Sequence, residues 1–139
     1  MHLRLTERWL VAAGFDEDVA REIAHCDVRY DMEHPGSLGL ANATRHLGPS
    51  ARLWAHAHLR RAKRTGSPCE LGRALHCIQD AESHGLFGLS HIRHRLGLLR
   101  RDPDDWEAAP DPLRRRVERA TGRFARSYAE ATPHAVRQP

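Results

Sequence analysis

The segment from Cys69 to His84 constrains the fold most strongly, because its apolar residues recur at intervals of three and four. That spacing predicts an α-helix with one buried face. The face consists of Leu71, Ala74, Leu75, Ile78 and Ala81. Next to this face lie His76, Asp80 and His84, which are spaced four residues apart. Four residues turn only about 40° around a helix axis, so the three ionisable side chains form one polar row on a largely buried helix.

The rest of the chain also shows helical spacing, and almost nothing alternates as a strand would. We expect a first helix from Thr6, its N-cap, to Gly14, and a second from Glu17 to Asp31 that Asp16 caps. The remaining predicted helices run from Pro49 to about Lys63 and from Leu113 to Ala131, with a further one in the segment SHIRHRLGLLRR. The sequence therefore predicts one compact all-α domain of five or six helices over residues 1–131.

The connections follow from glycine and proline. Residues 32–48 contain Pro35 and three glycines, which predicts a long loop. The TGSP motif at 65–68 ends the third helix and starts the fourth. We expect residues 132–139 to form a frayed C-terminal tail.

Charge and length exclude some classes of protein. The 139 residues carry a formal charge of +4, and this mild excess does not by itself indicate a nucleic-acid binder. No apolar run approaches the roughly 20 residues of a membrane span.

The three cysteines, Cys26, Cys69 and Cys77, form no C-x-x-C pair, and we interpret them as reduced. With no signal peptide evident at the N-terminus, the expected location is the cytoplasm.

The polar row on the fourth helix predicts a metal site. A histidine and a carboxylate one turn apart, such as His76 and Asp80, can hold the same divalent ion. An isolated His–Asp pair on a helix is, however, more often two surface residues without a metal. A third member on a buried helix favours the metal, because burying three ionisable groups without a partner is costly. Zinc suits these donors, and manganese, iron or nickel bind the same types. The candidate ligands are Asp27, Asp31, His46, His76, Asp80, His84 and His91.

Two segments resemble a known family. The segment LGRALHCIQDAESHGLFGLSH at 71–91, and AGFDEDVAREIAHCDVRYD at 13–31 followed by Arg45 and His46, resemble the zinc-dependent phospholipase C and single-strand-specific zinc nuclease superfamily. The resemblance implies a helical bundle and a phosphoester hydrolase with two or three zinc ions, and for this chain we expect one to three. It matches Asp31, or alternatively Asp27, to the family's upstream aspartate, and His46 to the histidine after it. It matches His76 and Asp80 to the helical pair, with Asp80 bridging two metals.

A metal-dependent hydrolase is the first function expected from these residues. Metal ions would activate a water for attack on phosphorus, with Asp80 among the catalytic residues. Arg45 lies beside His46 and Arg73 lies one turn before His76, so either can steady an anionic phosphoester substrate. A solvated surface explains most single arginines equally well.

Two other classes of function stay open. The same cluster can hold a structural metal, or none, in a helical module that works by binding a partner. The third and weakest interpretation is nucleic-acid binding through the arginines of the last helix. A domain this small can also complete its pocket by forming a homodimer.

Overall fold

The computed structural model describes residues 2–35, 40–84, 106–107 and 109–135. Within these ranges every regular element is helical, which confirms the all-α prediction. The six α-helices and one terminal 3-10 helix are α1 (His2–Ala12), α2 (Glu17–Glu33), α3 (Leu40–His46), α4 (Gly48–Thr65), α5 (Pro68–Ser83), α6 (Asp111–Ala131) and the 3-10 helix Pro133–Ala135. None of these helices is long and apolar enough to cross a lipid bilayer.

Helix α5 is the centre of the bundle. It packs against α2, α3, α4 and α6, and nearly every residue from Glu70 to Glu82 is buried. Its apolar face joins side chains of the neighbouring helices in one core. Burial on several sides explains why α5 is apolar around much of its circumference, and it brings the polar row of α5 into the interior.

The helix boundaries follow local chemistry. Asp16 caps α2, since its carboxylate accepts hydrogen bonds from two backbone amides of the first turn. Pro49 lies in the first turn of α4, and Gly66 ends that helix with a left-handed backbone, φ 67°. Ser67 then caps α5 by accepting from the amide of Glu70. These boundaries agree with the sequence prediction.

Three sequence predictions are wrong in detail. Helix α1 begins at His2, so Thr6 is an internal, fully buried residue rather than an N-cap. Helix α3 lies inside the predicted loop at 32–48, because the glycines there flank a short segment, LANATRH, that has helical propensity of its own. Ala135 packs against the core, so the start of the predicted tail is not frayed. The predicted helix in SHIRHRLGLLRR lies outside the described residues.

Gly72 lets α2 and α5 approach closely. A Cβ at this position would lie 2.9 Å from the backbone nitrogen of Asp27 and 2.9 Å from the Cβ of Cys26, and closer still to the carbonyl oxygen of Ile23. Only glycine fits such an approach of one backbone to another. The contact places the residues around Asp27 directly against the first half of α5.

The same contact pairs two of the cysteines. Cys26 of α2 and Cys69 of α5 form a disulfide, with Cα atoms 5.1 Å apart, while Cys77 is a free, buried thiol. The expectation that all three are reduced is therefore wrong for Cys26 and Cys69. The pair is 43 residues apart in sequence, so only the packing of α2 on α5 reveals it.

Candidate metal centre

Four side chains from three helices converge, three of them buried and one half-exposed. One ligand atom each from Asp31 of α2, His46 of α3 and His76 of α5 lie within 4.8 Å of one another. His76 Nε2 is 3.1 Å from His46 Nδ1, and each of these nitrogens is 3.8 Å from Asp31 Oδ1. Asp80 Oδ2 lies 2.7 Å from His46 Nδ1 and 3.3 Å from His76 Nε2. We call these four residues the His–Asp cluster.

The outer nitrogen of each imidazole is held by a different partner. His76 Nδ1 lies 3.2 Å from Asp27 Oδ1, and His46 Nε2 forms a short hydrogen bond with the backbone carbonyl of His34. Asp80 Oδ2 is an acceptor on the inner side as well, 2.7 Å from His46 Nδ1, so both nitrogens of His46 face acceptors. With a metal ion between the rings, each outer nitrogen would carry the proton and the nitrogens that face each other would present lone pairs to the ion. Histidine ligands of metals are commonly oriented in this way.

Asp27 is held by a polar chain that crosses the bundle. Thr6 of α1 donates from Oγ1 to Asp27 Oδ2 at 2.9 Å, and Gln79 of α5 donates to Thr6 Oγ1 at 3.0 Å. The Gln79 amide also reaches Thr121 Oγ1 of α6 at 3.2 Å. Asp27 is fully buried, whereas the side chain of Asp31 is 52% exposed. Of the two aspartates, Asp31 is the one within the cluster, whereas Asp27 contacts the outer nitrogen of His76.

The two oxygens of Asp80 face different neighbours. Oδ2 contacts the two histidines of the cluster, and Oδ1 lies 3.6 Å from Nε2 of His84 at the C-terminal end of α5. The row of His76, Asp80 and His84 expected from the sequence is therefore contiguous in space. His91, the last predicted ligand, lies outside the described residues.

The electrostatics of the cluster favour a bound cation. Burial lowers the pKa of His76, but Asp80 and Asp27 outweigh it and raise the pKa to about 10. Burial likewise raises the pKa of Asp80, yet His76 and His46 bring it well below its usual value. The buried carboxylates therefore stabilise a positive charge between them, which can be a proton on His76 or a metal ion.

Arg45 and Trp54 lie next to the cluster. The Arg45 guanidinium stacks on Trp54 of α4, 5.0 Å from the ring centre, and contacts His34 Nδ1 and Asn42 Oδ1, each at 3.0 Å. Its Nε is buried and has no hydrogen-bond partner in the part of the chain that the structure describes. Burial and this guanidinium lower the pKa of His34. A fixed positive charge therefore lies one residue from the ligand candidate His46.

Arg73 belongs to a second polar cluster. It binds Glu70 Oε1 at 2.7 Å, and Glu70 Oε2 lies 2.8 Å from His58 Nδ1. The other nitrogen of His58 lies 3.2 Å from the hydroxyl of Tyr30, whose ring packs against His76. The sequence predicted Arg73 as a substrate ligand, whereas its guanidinium binds Glu70. This second cluster instead buttresses the ring of His76 from the side.

The sequence analysis missed the supporting residues of the site. Thr6, His34, Gln79 and Tyr30 all contact members of the cluster or their partners. Gln79 carries a signal, since an amide next to Asp80 on a buried helix needs hydrogen-bond partners of its own. The His34 contact uses a backbone carbonyl, for which no side-chain pattern exists.

Comparison with known proteins adds no relative: no protein-family model, no curated protein and no solved structure matches this chain significantly.

Proposed function

We propose that this chain is a metal-dependent hydrolase that cleaves phosphoesters, with a metal ion bound by Asp31, His46, His76 and Asp80. One observation carries the proposal: two imidazole nitrogens and two carboxylate oxygens converge, with both imidazoles oriented from behind. Neighbouring ligands of a tetrahedral zinc ion, bound at roughly 2.0–2.1 Å, are roughly 3.3 Å apart. The separations of 2.7 to 3.8 Å within the cluster bracket that value.

Access to solvent favours a catalytic over a structural ion. His46, His76 and Asp80 are buried, but Asp31 is half-exposed, so the cluster opens towards solvent on the side of α2. Catalytic zinc sites have three protein ligands and a water, whereas structural sites are closed by four protein ligands. In the catalytic form, the buried His46, His76 and Asp80 would hold the ion, and a water would share or replace the exposed position of Asp31. The chemistry that a zinc ion would supply here is a bound water with a pKa near neutrality, and hence hydroxide.

Two side chains suit the remaining tasks. Asp80 would be a ligand of the ion, and its second oxygen would accept a hydrogen bond from the attacking water and orient it. Arg45, fixed on Trp54 and adjacent to His46, offers its guanidinium to the phosphoryl oxygens. Zinc is the first choice of metal for this donor set, and manganese, iron or nickel are the alternatives to compare.

A specific observation supports a second candidate function. Protonated His76 could itself satisfy Asp27 and Asp80, which would make the cluster a polar core without metal in a helical binding module. The two candidates differ in their response to loss of a cluster side chain. In a metal-free polar core, substitution of a cluster residue would change only the stability of the protein. In the hydrolase, the same substitution would also abolish turnover.

Hydrolysis of bis(p-nitrophenyl) phosphate and p-nitrophenyl phosphate, with and without added zinc, tests the proposal. We expect turnover in the parent and in His25→Ala, an exposed histidine of α2 away from the cluster. We expect none above buffer in His46→Ala, and circular dichroism spectra that match the parent. Equal turnover in His46→Ala and His25→Ala would refute the hydrolase. So would the absence of turnover in a parent shown to contain metal.

A further inference from the structure

Helices α4 and α6 lie side by side and run in the same direction. His56 packs on Phe124 with ring centres 5.1 Å apart, and further along Lys63 Nζ donates to Ser127 Oγ at 3.2 Å. At the other end, Arg52 and Arg116 both bind the buried carboxylate of Glu82, at 2.9 and 3.3 Å. The order of contacts is the same along both helices, so they form one elongated surface.

This surface is strongly basic. Helix α4 carries five arginine and lysine residues and no acidic residue, and α6 carries six arginines against three acidic residues. On α6, Arg116, Arg119, Arg123 and Arg126 recur at three and four residues, so they form one row beside the contact with α4. We define the basic seam as the exposed residues Arg60, Lys63, Arg64, Arg119, Arg123 and Arg126.

The charges of the basic seam are not neutralised locally. Among the described residues, none of its five arginines has a carboxylate partner. By contrast, Arg52 and Arg116 at its edge are both bound to Glu82. An ordinary solvated helix intersperses both signs and forms pairs four residues apart. Between Arg119 and Arg126 the seam carries one sign, and Glu130 lies beyond its end, four residues after Arg126. A face of one sign raises the local concentration of anions.

We propose that the basic seam binds the phosphate backbone of nucleic acid, without sequence preference. The seam extends about 10 Å along α6, from Arg119 to Arg126, and its six charges suit a row of phosphates better than a single anion. Arginine binds phosphate oxygens through two parallel N–H groups, which suits such a polymer.

The other polyanionic partners fit less well. Leu53 is the one large apolar side chain strongly exposed on the described part of α4, so the face has no apolar stripe to enter a lipid surface. It equally lacks a cluster of aromatic anchors of the kind found at the centre of protein interfaces.

The seam is separate from the His–Asp cluster. Asp80 and Glu82 are two residues apart on α5, so they point to different sides of that helix. Asp80 faces the cluster, while Glu82 faces the seam and binds its edge. Binding of nucleic acid therefore does not rest on the proposed hydrolase, and either can fail without the other.

Fluorescence anisotropy with labelled single-stranded and duplex oligonucleotides of mixed sequence, over a range of salt concentrations, tests the proposal. We expect binding that weakens linearly in log affinity against log salt. The variant Arg60→Gln/Arg123→Gln should lower that slope by about 1.4 for single strands and weaken binding about tenfold at physiological salt. A second variant, Arg64→Gln/Arg119→Gln, should do the same. Gel analysis afterwards checks that the oligonucleotides remain intact.

The matched control is Arg4→Gln/Arg8→Gln, which removes two exposed arginines of α1 without touching the seam. It should leave the slope and the affinity close to those of the parent. No binding at low salt would overturn the proposal, as would equal weakening by the control, which would indicate attraction by net charge alone. Equal competition by polyglutamate, or by anionic vesicles at the same charge concentration, would also overturn it in favour of an acidic protein or a membrane.

Discussion

Among single residues, Asp27 and Asp31 differ most in their relation to the proposed metal. Both belong to the predicted ligand set, yet Asp27 is buried behind His76 and Asp31 borders the cluster from the surface. A carboxylate behind a ligand histidine fixes the tautomer and increases the basicity of the ring. Removing its charge should weaken metal binding without removing a ligand.

We therefore expect Asp27→Asn to lower zinc affinity about 10- to 100-fold while the protein still binds one equivalent or more. Competition with a chromophoric chelator measures this affinity. Asp18→Asn, at an exposed carboxylate of the same helix, is the control and should leave the affinity unchanged. An unchanged affinity in Asp27→Asn would show that Asp27 does not orient a ligand.

Glu70 provides a separate prediction about pH. Burial raises the pKa of its carboxyl, but the hydrogen bond with His58, and the charges of His58, Arg73 and Arg61, outweigh burial and bring the pKa below the ordinary 4.5. The ionised form therefore stabilises the fold above pH 4.5, and this stabilisation is lost as the pH falls through the lowered pKa.

We expect Glu70→Gln to lower the free energy of unfolding by roughly 1–3 kcal/mol at neutral pH. The difference from the parent should shrink as the pH falls below about 4.5, because the parent carboxylate is then protonated as well. Urea titrations at neutral and acid pH measure both values. A difference that stays constant across this range would contradict an ionised, paired Glu70.

At the scale of helices, the close approach of α2 to α5 assembles the site. It brings Asp27 and Asp31 of α2 against His76 of α5, and it also places Cys26 beside Cys69. Gly72 permits this approach, since any Cβ there would press against the backbone of α2. The packing of these two helices and the geometry of the cluster should therefore change together.

Gly72→Ala should destabilise the protein by about 1–3 kcal/mol or more, because α2 must move away from α5. Thermal unfolding followed by circular dichroism measures the loss. Gly122→Ala on α6 is the matched control. Its added methyl would meet the end of the flexible Arg126 side chain at 3.3 Å, and alanine favours the helix, so we expect little change or a small gain. A Gly72→Ala variant as stable as Gly122→Ala would contradict the close contact.

The sequence predicts helices well and their packing poorly. The apolar interval in α5, the cap Asp16 and the Gly66–Pro68 break all mark their elements locally, so these predictions hold. The glycines on either side of α3 favour a loop and so obscure this short helix. The prediction of Thr6 as a cap is wrong because the hydrogen-bond partner of Thr6 is Asp27, 21 residues away. Hydrogen bonds and disulfides between helices depend on a packing that the spacing of residues within one helix does not contain.

At the scale of the whole molecule, α5 divides two kinds of chemistry. On one side, His76 and Asp80 face the carboxylate and histidine of α2 and α3, and on the other, Glu82 faces the arginines of α4 and α6. The distribution of charge along the sequence agrees with this arrangement, since the first 50 residues are net acidic and the remainder is net basic. A metal centre and an anion-binding surface on one small bundle would together suit a phosphoester substrate of high charge.

The most direct test of the central claim is the metal content of the protein purified without an affinity tag or added metal. We expect about one or more equivalents of zinc, or of another first-row transition metal, in the parent and in His25→Ala. His46→Ala and His76→Ala should lose that metal, while circular dichroism reports a helical fold. A parent without metal that also fails to take up zinc on titration, or metal retained in both cluster variants, would contradict the metal centre.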